Sequence, residues 1–347
     1  MNRLVSRHRV LHWLWWSHHI AARVVRLLLL PFGALHRAMM LARAAAYRFG
    51  WRSARSLPLP VVAVGNLAVG GAGKTPLAAW IAAFYARRGV TPGILLRGYG
   101  GDEPLVHQRL VPEAVVVPNP DRLAGAETAR ANGAQILVLD DAFQRLDIAR
   151  ELNIAVVNTE NARAAPWPLP AGPWREGGRA LARADLIVVT YRRTTRDEAR
   201  RLADALAARW PRTAVAVAHL ALSRFEGMVS GRVVSARGLA GRRVVAAAGI
   251  ADPTSFAVQV RATGAVVQLE AYQDHHAFGP QDLAHLVRAA REWDYVVVTE
   301  KDAVKLRPRW PSDVREPLVA VLEVQWEHNG DVVERALTAV SARAAVS

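Results

Sequence analysis

At 347 residues the chain can bury one large α/β unit or two separate cores, and 52% hydrophobic with 22% charged residues is a folded composition, not a disordered one. The absence of cysteine excludes disulfides, thiolate catalysis and Cys-ligated zinc. The net charge of +15 points to anionic partners, and it is carried so heavily by arginine that the only lysines are Lys74, Lys301 and Lys305.

Residues 1–56 are basic and aromatic, with Trp13, Trp15, Trp16, Tyr47 and Trp51 among His8, His12, His18, His19 and arginines including Arg3, Arg7, Arg9, Arg23, Arg26, Arg37, Arg43 and Arg48. The pattern predicts two amphipathic helices, 10–30 and 34–49, interrupted at Pro31. The longest apolar run, Leu27 to Leu35, falls short of the roughly 20 residues that a spanning helix needs. The segment therefore reads as lying on an anionic membrane surface, arginine to lipid phosphate and tryptophan at the interface. An ordinary helix pair packed on the next domain is the competing reading.

Val61 to Val64 is a buried-strand pattern that runs into Gly65-Asn66-Leu67-Ala68-Val69-Gly70-Gly71-Ala72-Gly73-Lys74-Thr75-Pro76, after which 77–88 reads as a helix. Strand, glycine-rich turn and helix start form the setting of a phosphate-binding loop. Backbone N–H groups of Gly70, Gly71, Ala72 and Gly73 would close around phosphate, Lys74 would reach the outer phosphates of ATP, and Thr75 would hold Mg2+. Ala68 stands where the generic pattern has its first glycine. In so arginine-rich a chain, a lysine at this place marks a need for a compact ammonium.

The strand at 93–96 leads into a flexible turn ending Gly101-Asp102-Glu103-Pro104, where Asp102 is placed to accept a proton from an attacking hydroxyl. The apolar run at 135–139 ends in Asp140-Asp141, two adjacent carboxylates that repel unless a cation lies between them. They are the expected metal side of the site, with Asp140 favoured for Mg2+ and Asp141 for nucleotide or substrate, or the reverse. Further strands are expected at 152–157, 185–190 and 213–220, and helices at 122–131, 176–183 and 196–209. The Pro- and Gly-rich loop 166–178 carries Trp167, Trp174 and Arg175, readable as an acyl-chain or phosphate contact or as a hydrophobic plug.

Glycines at 227, 231, 238 and 241 mark a hairpin-like linker over 221–241. Beyond it, strands at 243–248, 266–270, 295–298 and 318–324 alternate with helices at 254–263, 280–291 and 332–343. The expected architecture is α/β: a mostly parallel, P-loop NTPase-like sheet over 57–220, a second, smaller α/β domain over 242–347, and the N-terminal amphipathic helices. In the second domain Asp274-His275-His276 offers an imidazole that a carboxylate can orient, and Lys301 with Lys305 forms a cationic patch suited to phosphate. The basic residues are dispersed and match no nucleic-acid-binding motif, so nucleic acid is not an expected partner. No obligate protein partner is expected either.

In this order the chain carries VGNLAVGGAGKTP, RGYG, GDEP, LDDAFQR, LPAGPWRE, GIADPTSF, YQDHHAF and VTEKDAVKL, and this series over 55–310 resembles the tetraacyldisaccharide 4'-kinase family of lipid A biosynthesis. The resemblance implies ATP- and Mg2+-dependent phosphorylation of the 4'-hydroxyl of an acylated glucosamine disaccharide 1-phosphate, by a peripheral protein at the cytoplasmic face of the bacterial inner membrane. It implies Lys74 and Thr75 as ATP and Mg2+ residues, Asp140 and Asp141 as the metal-site pair, and Asp102 as the residue assisting deprotonation of the hydroxyl together with His275. Lys74, Asp141, Asp102 and His275 are thus the expected catalytic set, with Lys301 a further phosphate contact. The chain departs from the family pattern at Ala68, Ala72, Ala142 and Arg145, in the short junction between RGYG and GDEP, and at DPTSF. The rival readings are a nucleotide- and lipid-binding paralogue without transfer and a P-loop kinase or ATPase with a soluble substrate.

Overall fold

The structure, a computed structural model, describes residues 10–344 except 12, 99, 100 and 163. His8, His12, Arg3, Arg7, Arg9, Tyr99 and Gly100, singled out above, lie outside the described residues. In chain order the elements begin with α1 (Ile20–Arg48), β1 (Val61–Asn66), α2 (Lys74–Ala86), β2 (Pro92–Leu96), α3 (Asp102–Leu110), β3 (Val115–Pro118) and α4 (Arg122–Ala131). There follow β4 (Ile136–Leu139), β5 (Leu152–Asn158), α5 (Thr159–Ala162), β6 (Leu186–Tyr191), α6 (Arg196–Arg209), β7 (Ala214–Gly227) and β8 (Val233–Ser235). The chain closes with β9 (Arg243–Ala248), α7 (Pro253–Arg261), β10 (Val266–Ala271), α8 (Pro280–Glu292), β11 (Tyr295–Thr299), α9 (Glu300–Leu306), β12 (Leu318–His328) and α10 (Gly330–Ala344).

Two compact units emerge, one of Met1–Gly98, Leu110–His219 and Trp326–Ser347, the other of Tyr99–Arg109 and Leu220–Gln325. Besides taking in 1–56 and the expected linker 221–241, they differ from the boundaries 57–220 and 242–347 in two further ways. The segment holding Asp102 goes with the second unit, and the last helix goes with the first. The second difference has a visible cause: the Tyr85 hydroxyl of α2 donates to Leu337 O at 2.9 Å, and Trp80 meets Trp326 edge-on at 5.1 Å.

In the first unit the strands are all parallel, in the order β3-β2-β4-β1-β5-β6-β7. Every residue of β1, β4, β5 and β6 is buried, which is why they read as unbroken apolar runs. In the second unit β10-β9-β11-β12 are parallel, and 221–241 contains the antiparallel hairpin of β7 with β8.

At the N-terminus the two expected helices are one over this stretch, because α1 runs 29 residues through Pro31. An internal proline removes one backbone bond and crowds one carbonyl, which a long helix held by outside contacts absorbs as a local defect. Those contacts are near: Gly33 fits against Pro168 and Ala171, and His36 Nε2 is 3.0 Å from Arg175 O. At about 43 Å, α1 is by length and composition long and apolar enough to cross a membrane, unlike the short apolar run expected from the sequence.

Candidate functional site

The phosphate loop grows from β1. Gly65 is required there because a Cβ would stand 2.5 Å from Phe143 N, so that β1 and the turn after β4 pack at backbone contact. That approach brings Asp140 and Asp141 to the loop. Gly70 (φ +118°) and Gly73 (φ +85°) take left-handed conformations that turn the chain into α2. Thr190 Oγ1 donates to Ala72 O at 2.8 Å and fixes the loop from β6. Gly73 caps α2 without a side chain, leaving the first N–H groups of the helix open to an anion.

Ala68 is accommodated because its arm of the loop is held by pairing instead of by a glycine turn. It bridges Trp174, while Val69 N donates to Pro173 O at 2.8 Å and Arg175 N to Leu67 O at 2.7 Å. The loop 166–178 is thus a strut on the phosphate loop. Its Trp174 packs against the hydrophobic core, Trp167 is exposed, and Arg175 reaches the site.

Lys74 Nζ lies 3.6 Å from Asp141 Oδ1, and the Arg175 guanidinium donates to both Asp141 oxygens at 3.0 Å. Asp140 is buried beside it, and Asp141 holds φ +53°, an uncommon conformation for a non-glycine residue and one that gathers at functional sites. Among the described residues no group of three or more His, Asp or Glu side chains is gathered for a metal. The Thr75 hydroxyl and the two carboxylates are hard oxygen donors, and they suit Mg2+, which keeps several waters and phosphate oxygens and needs few protein ligands.

A second cluster is assembled in the other unit. Asp102 opens α3 instead of lying in a flexible turn, and its carboxylate accepts from His275 Nδ1 at 2.9 Å. Lys305 Nζ stands 3.1 Å from the same carboxylate, and Asp274 is farther from the imidazole, 3.9 Å from Nε2. Burial pushes the Asp102 carboxyl up, but the His275 hydrogen bond and the charges of Lys305, His275 and Lys301 outweigh it and hold it down at about 2. The Asp102 hydrogen bond in turn raises His275, against the opposing effect of burial. Asp102 is almost wholly buried whereas His275 is exposed, so the imidazole is the accessible member of the pair. Its φ of +58° is likewise a non-glycine outlier.

Lys305 is held from behind by Asp302, at 3.8 Å, which accepts from Gly249 N at 2.9 Å and from Thr299 Oγ1 at 2.6 Å. Lys301, expected to meet phosphate, pairs with Glu103 at 2.8 Å. Of the expected residues, Gly70, Gly71, Ala72, Gly73, Lys74, Thr75, Asp140 and Asp141 thus come together in the first unit, and Asp102, His275 and Lys301 in the second. The role of Arg175 as clamp on Asp141 and that of Lys305 as partner of Asp102 were missed. Lysine scarcity pointed at Lys305 without saying what it faces.

A family model described as tetraacyldisaccharide-1-P 4'-kinase matches residues 25–341. A tetraacyldisaccharide 4'-kinase of Anaeromyxobacter sp. (strain Fw109-5) is 35% identical over 95% of this chain and 96% of its own. That of Anaeromyxobacter dehalogenans (strain 2CP-1) is 37% identical over 88% of each. Among solved structures, LpxK from Aquifex aeolicus in complex with ATP superposes at a TM-score of 0.71 with 24% identity, covering 91% of this chain and 99% of that one.

Proposed function

Because the chain belongs to the tetraacyldisaccharide-1-P 4'-kinase family, we propose that it transfers the γ-phosphoryl group of ATP to the 4'-hydroxyl of an acylated glucosamine disaccharide 1-phosphate, using Lys74 and Asp102–His275 as its two chemical centres. The observation that carries this reading is the 3.6 Å approach of Lys74 to Asp141, which joins a phosphate-binding loop to strand-end carboxylates. Departures at Ala68, Ala142 and Arg145 leave that approach in place.

In this reading the open N–H groups at the start of α2 and the Lys74 ammonium hold the outer phosphates of ATP and neutralise charge on the group in transfer. Thr75 with Asp140 and Asp141 would hold Mg2+, which supplies further neutralisation of phosphate charge when bound. Arg175 fixes the direction of the Asp141 carboxylate. Asp102 fixes the Nδ1–H tautomer of His275 and raises its basicity, and the outward nitrogen, Nε2, takes the proton of the acceptor hydroxyl. Direct acceptance by Asp102 is the less favoured version, because a buried carboxyl held near 2 is a weak base.

The acceptor is a lipid, and α1 suits its surroundings. Ile20, Val24, Leu28, Phe32, Leu35 and Met39 are exposed at helical spacing on one face, while Ala22, Gly33, His36 and Arg43 make contacts along its length with the rest of the unit or are buried. A helix attached along its length to a water-facing domain lies in the interface and does not cross it. We therefore assign the protein to a membrane surface, with the cytoplasmic face the side that holds ATP. The test is transfer of label from γ-labelled ATP to an acylated disaccharide monophosphate in detergent micelles, beside the same sugar without acyl chains. Labelling of the acylated acceptor alone is expected; equal labelling of both acceptors, or ATP hydrolysis with no transfer, refutes the assignment.

A further inference from the structure

Helix α3, which carries Asp102 at its start, is held at its other end by a charged cluster that the reaction as described leaves without a role. Arg109, in the last turn, gives one guanidinium nitrogen to Glu226 of β7 at 2.5 Å and the other to Glu300 of α9 at 3.5 Å. Glu226 also accepts from Arg224 Nε at 2.7 Å, and Arg224 pairs in turn with Glu323 of β12. Such pairs contribute little on an open surface, but here the side chains of Arg109, Glu226 and Glu300 are 14, 20 and 9% exposed. Burial lifts the Glu300 carboxyl to about 7, Arg109 opposes that rise, and Glu226 and Arg224 add smaller effects of opposite sign. Taking Arg109 away would therefore leave an acid inside the unit without its strongest counter-charge.

The placement matters because α9 carries the other half of the acid-base cluster. Three ion pairs lace α3 to α9: Asp102 to Lys305 at 3.1 Å, Glu103 to Lys301 at 2.8 Å and Arg109 to Glu300 at 3.5 Å. The first two start from the first turn of α3, where Asp102 also meets His275, and the third lies about two turns further on. A short helix tied at one end tilts about that end. A tie at each end fixes both the position of Asp102 and the direction from which its carboxylate meets His275 Nδ1. Glu226 adds a strand as the third point of attachment, so the two helices are set against the sheet as well as against each other.

We propose that Arg109 is a positioning residue for the transfer reaction: its fork, closed on Glu226 and Glu300, holds α3 so that Asp102 keeps the His275 imidazole oriented and basic. A guanidinium suits the place because its separate nitrogens reach carboxylates on two different elements at once, whereas an ammonium is a single point of charge. The assignment rests on the kinase reading and deepens it, since it adds to the acid-base pair the contact that sets its geometry from the far end of the helix.

The full-length protein carrying Arg109→Met supplies the test, with urea unfolding as the folding control. Its kcat is expected to fall about 10- to 100-fold, the cost of a small misplacement at the reacting centre, while KM for ATP, whose loop belongs to the first unit, stays unchanged. The Asp102 hydrogen bond is the largest influence raising His275, so the rise of kcat with pH should move down toward the ordinary 6.5. NMR titration of the His275 ring should show the same displacement whether or not transfer is measured. In a His275→Gln background R109M should cost less than about 3-fold further in kcat, because residues that act through one group are not additive. A folded R109M protein with unchanged kcat and unchanged His275 titration overturns the proposal, as does an equal loss in the His275→Gln background or a rise in KM for ATP. R109K keeps the charge without the fork and should move kcat and the His275 titration together by smaller amounts, which keeps the comparison open where R109M does not fold. An R109K protein that moves one without the other, or neither, overturns the proposal. Absence of transfer by the wild-type protein, with the His275 titration still answering to Arg109, removes the kinase reading alone and leaves the positioning of His275 standing.

Discussion

Replacing Lys305 by methionine isolates a charge on which the acid-base pair depends. The ammonium lies 3.1 Å from the buried Asp102 carboxylate, and methionine keeps the length and apolar stem of the side chain while removing the charge. The carboxyl is held at about 2 against an ordinary 3.8, so its ionisation contributes about 2.5 kcal/mol to folding at neutral pH. A depressed carboxyl stabilises above its unfolded pKa, and that contribution drains away as pH falls from about 4 to about 2. Without Lys305 burial regains weight and the carboxyl rises by about 1–3 units, which cancels most of the contribution. K305M is thus expected to lose about 2–3 kcal/mol at pH 7.5 in urea unfolding, a gap that narrows by about half at pH 3. Carbon-13 NMR of the Asp102 carboxyl would give the titration directly. A stability gap that stays constant between pH 7.5 and pH 3, or an Asp102 that still titrates near 2, would mean that Lys305 acts by packing and that the charge argument is wrong.

Three further outcomes are expected. Lys74→Ala should lower kcat by at least about 100-fold, because the loss falls on charge stabilised in the transition state; single-turnover transfer measures it, and a loss confined to KM for ATP would reduce Lys74 to a binding residue. With His275 as proton acceptor, kcat should climb with pH through a pKa above the usual imidazole value of 6.5, since the protonated ring cannot accept, and His275→Gln should lack that limb. A wild-type profile flat from pH 5 to 8 would return the role to Asp102. Leu28→Asp with Phe32→Asp removes two exposed apolar groups of α1, each contributing about 1.5–3 kcal/mol when buried in lipid; vesicle flotation should fall about 100-fold or more while detergent-micelle activity remains, and undiminished flotation would clear α1 of membrane binding.

Residues that carry their own conformational instruction were legible in advance. Val61 to Val64 and Ile136 to Leu139 have one polar exit each, so the runs could only be buried strands, and the residues that follow them had to be the phosphate loop and Asp140-Asp141. Helix α3 was not legible. Gly101, two acids and Pro104 look like a turn, yet a proline in the first turn costs no helical hydrogen bond and acids there favour the helix N-terminus, so Asp102, Glu103 and Pro104 open a nine-residue helix. Strand β3 was missed because four residues, Val115–Pro118, declare themselves only through their pairing with β2. Pro31 misled in the other direction, since local propensity counts the lost bond and not the contacts of Gly33 and His36 that hold the helix on.

The sequence by itself determined the chemistry available: a glycine loop ending in Lys74-Thr75, paired acids at a strand end, and a histidine next to an aspartate. Backbone periodicity and motif order are local properties, so they survive without coordinates. Which carboxylate faces which cation is a long-range matter, decided only by folding. The tertiary structure gave His275 to Asp102 across 173 positions of chain instead of to its neighbour Asp274, set Lys305 behind that pair, and laid Arg175 on Asp141. Burial then fixed the acid-base character of each group, because a charge removed from water is governed by the few partners that packing leaves beside it.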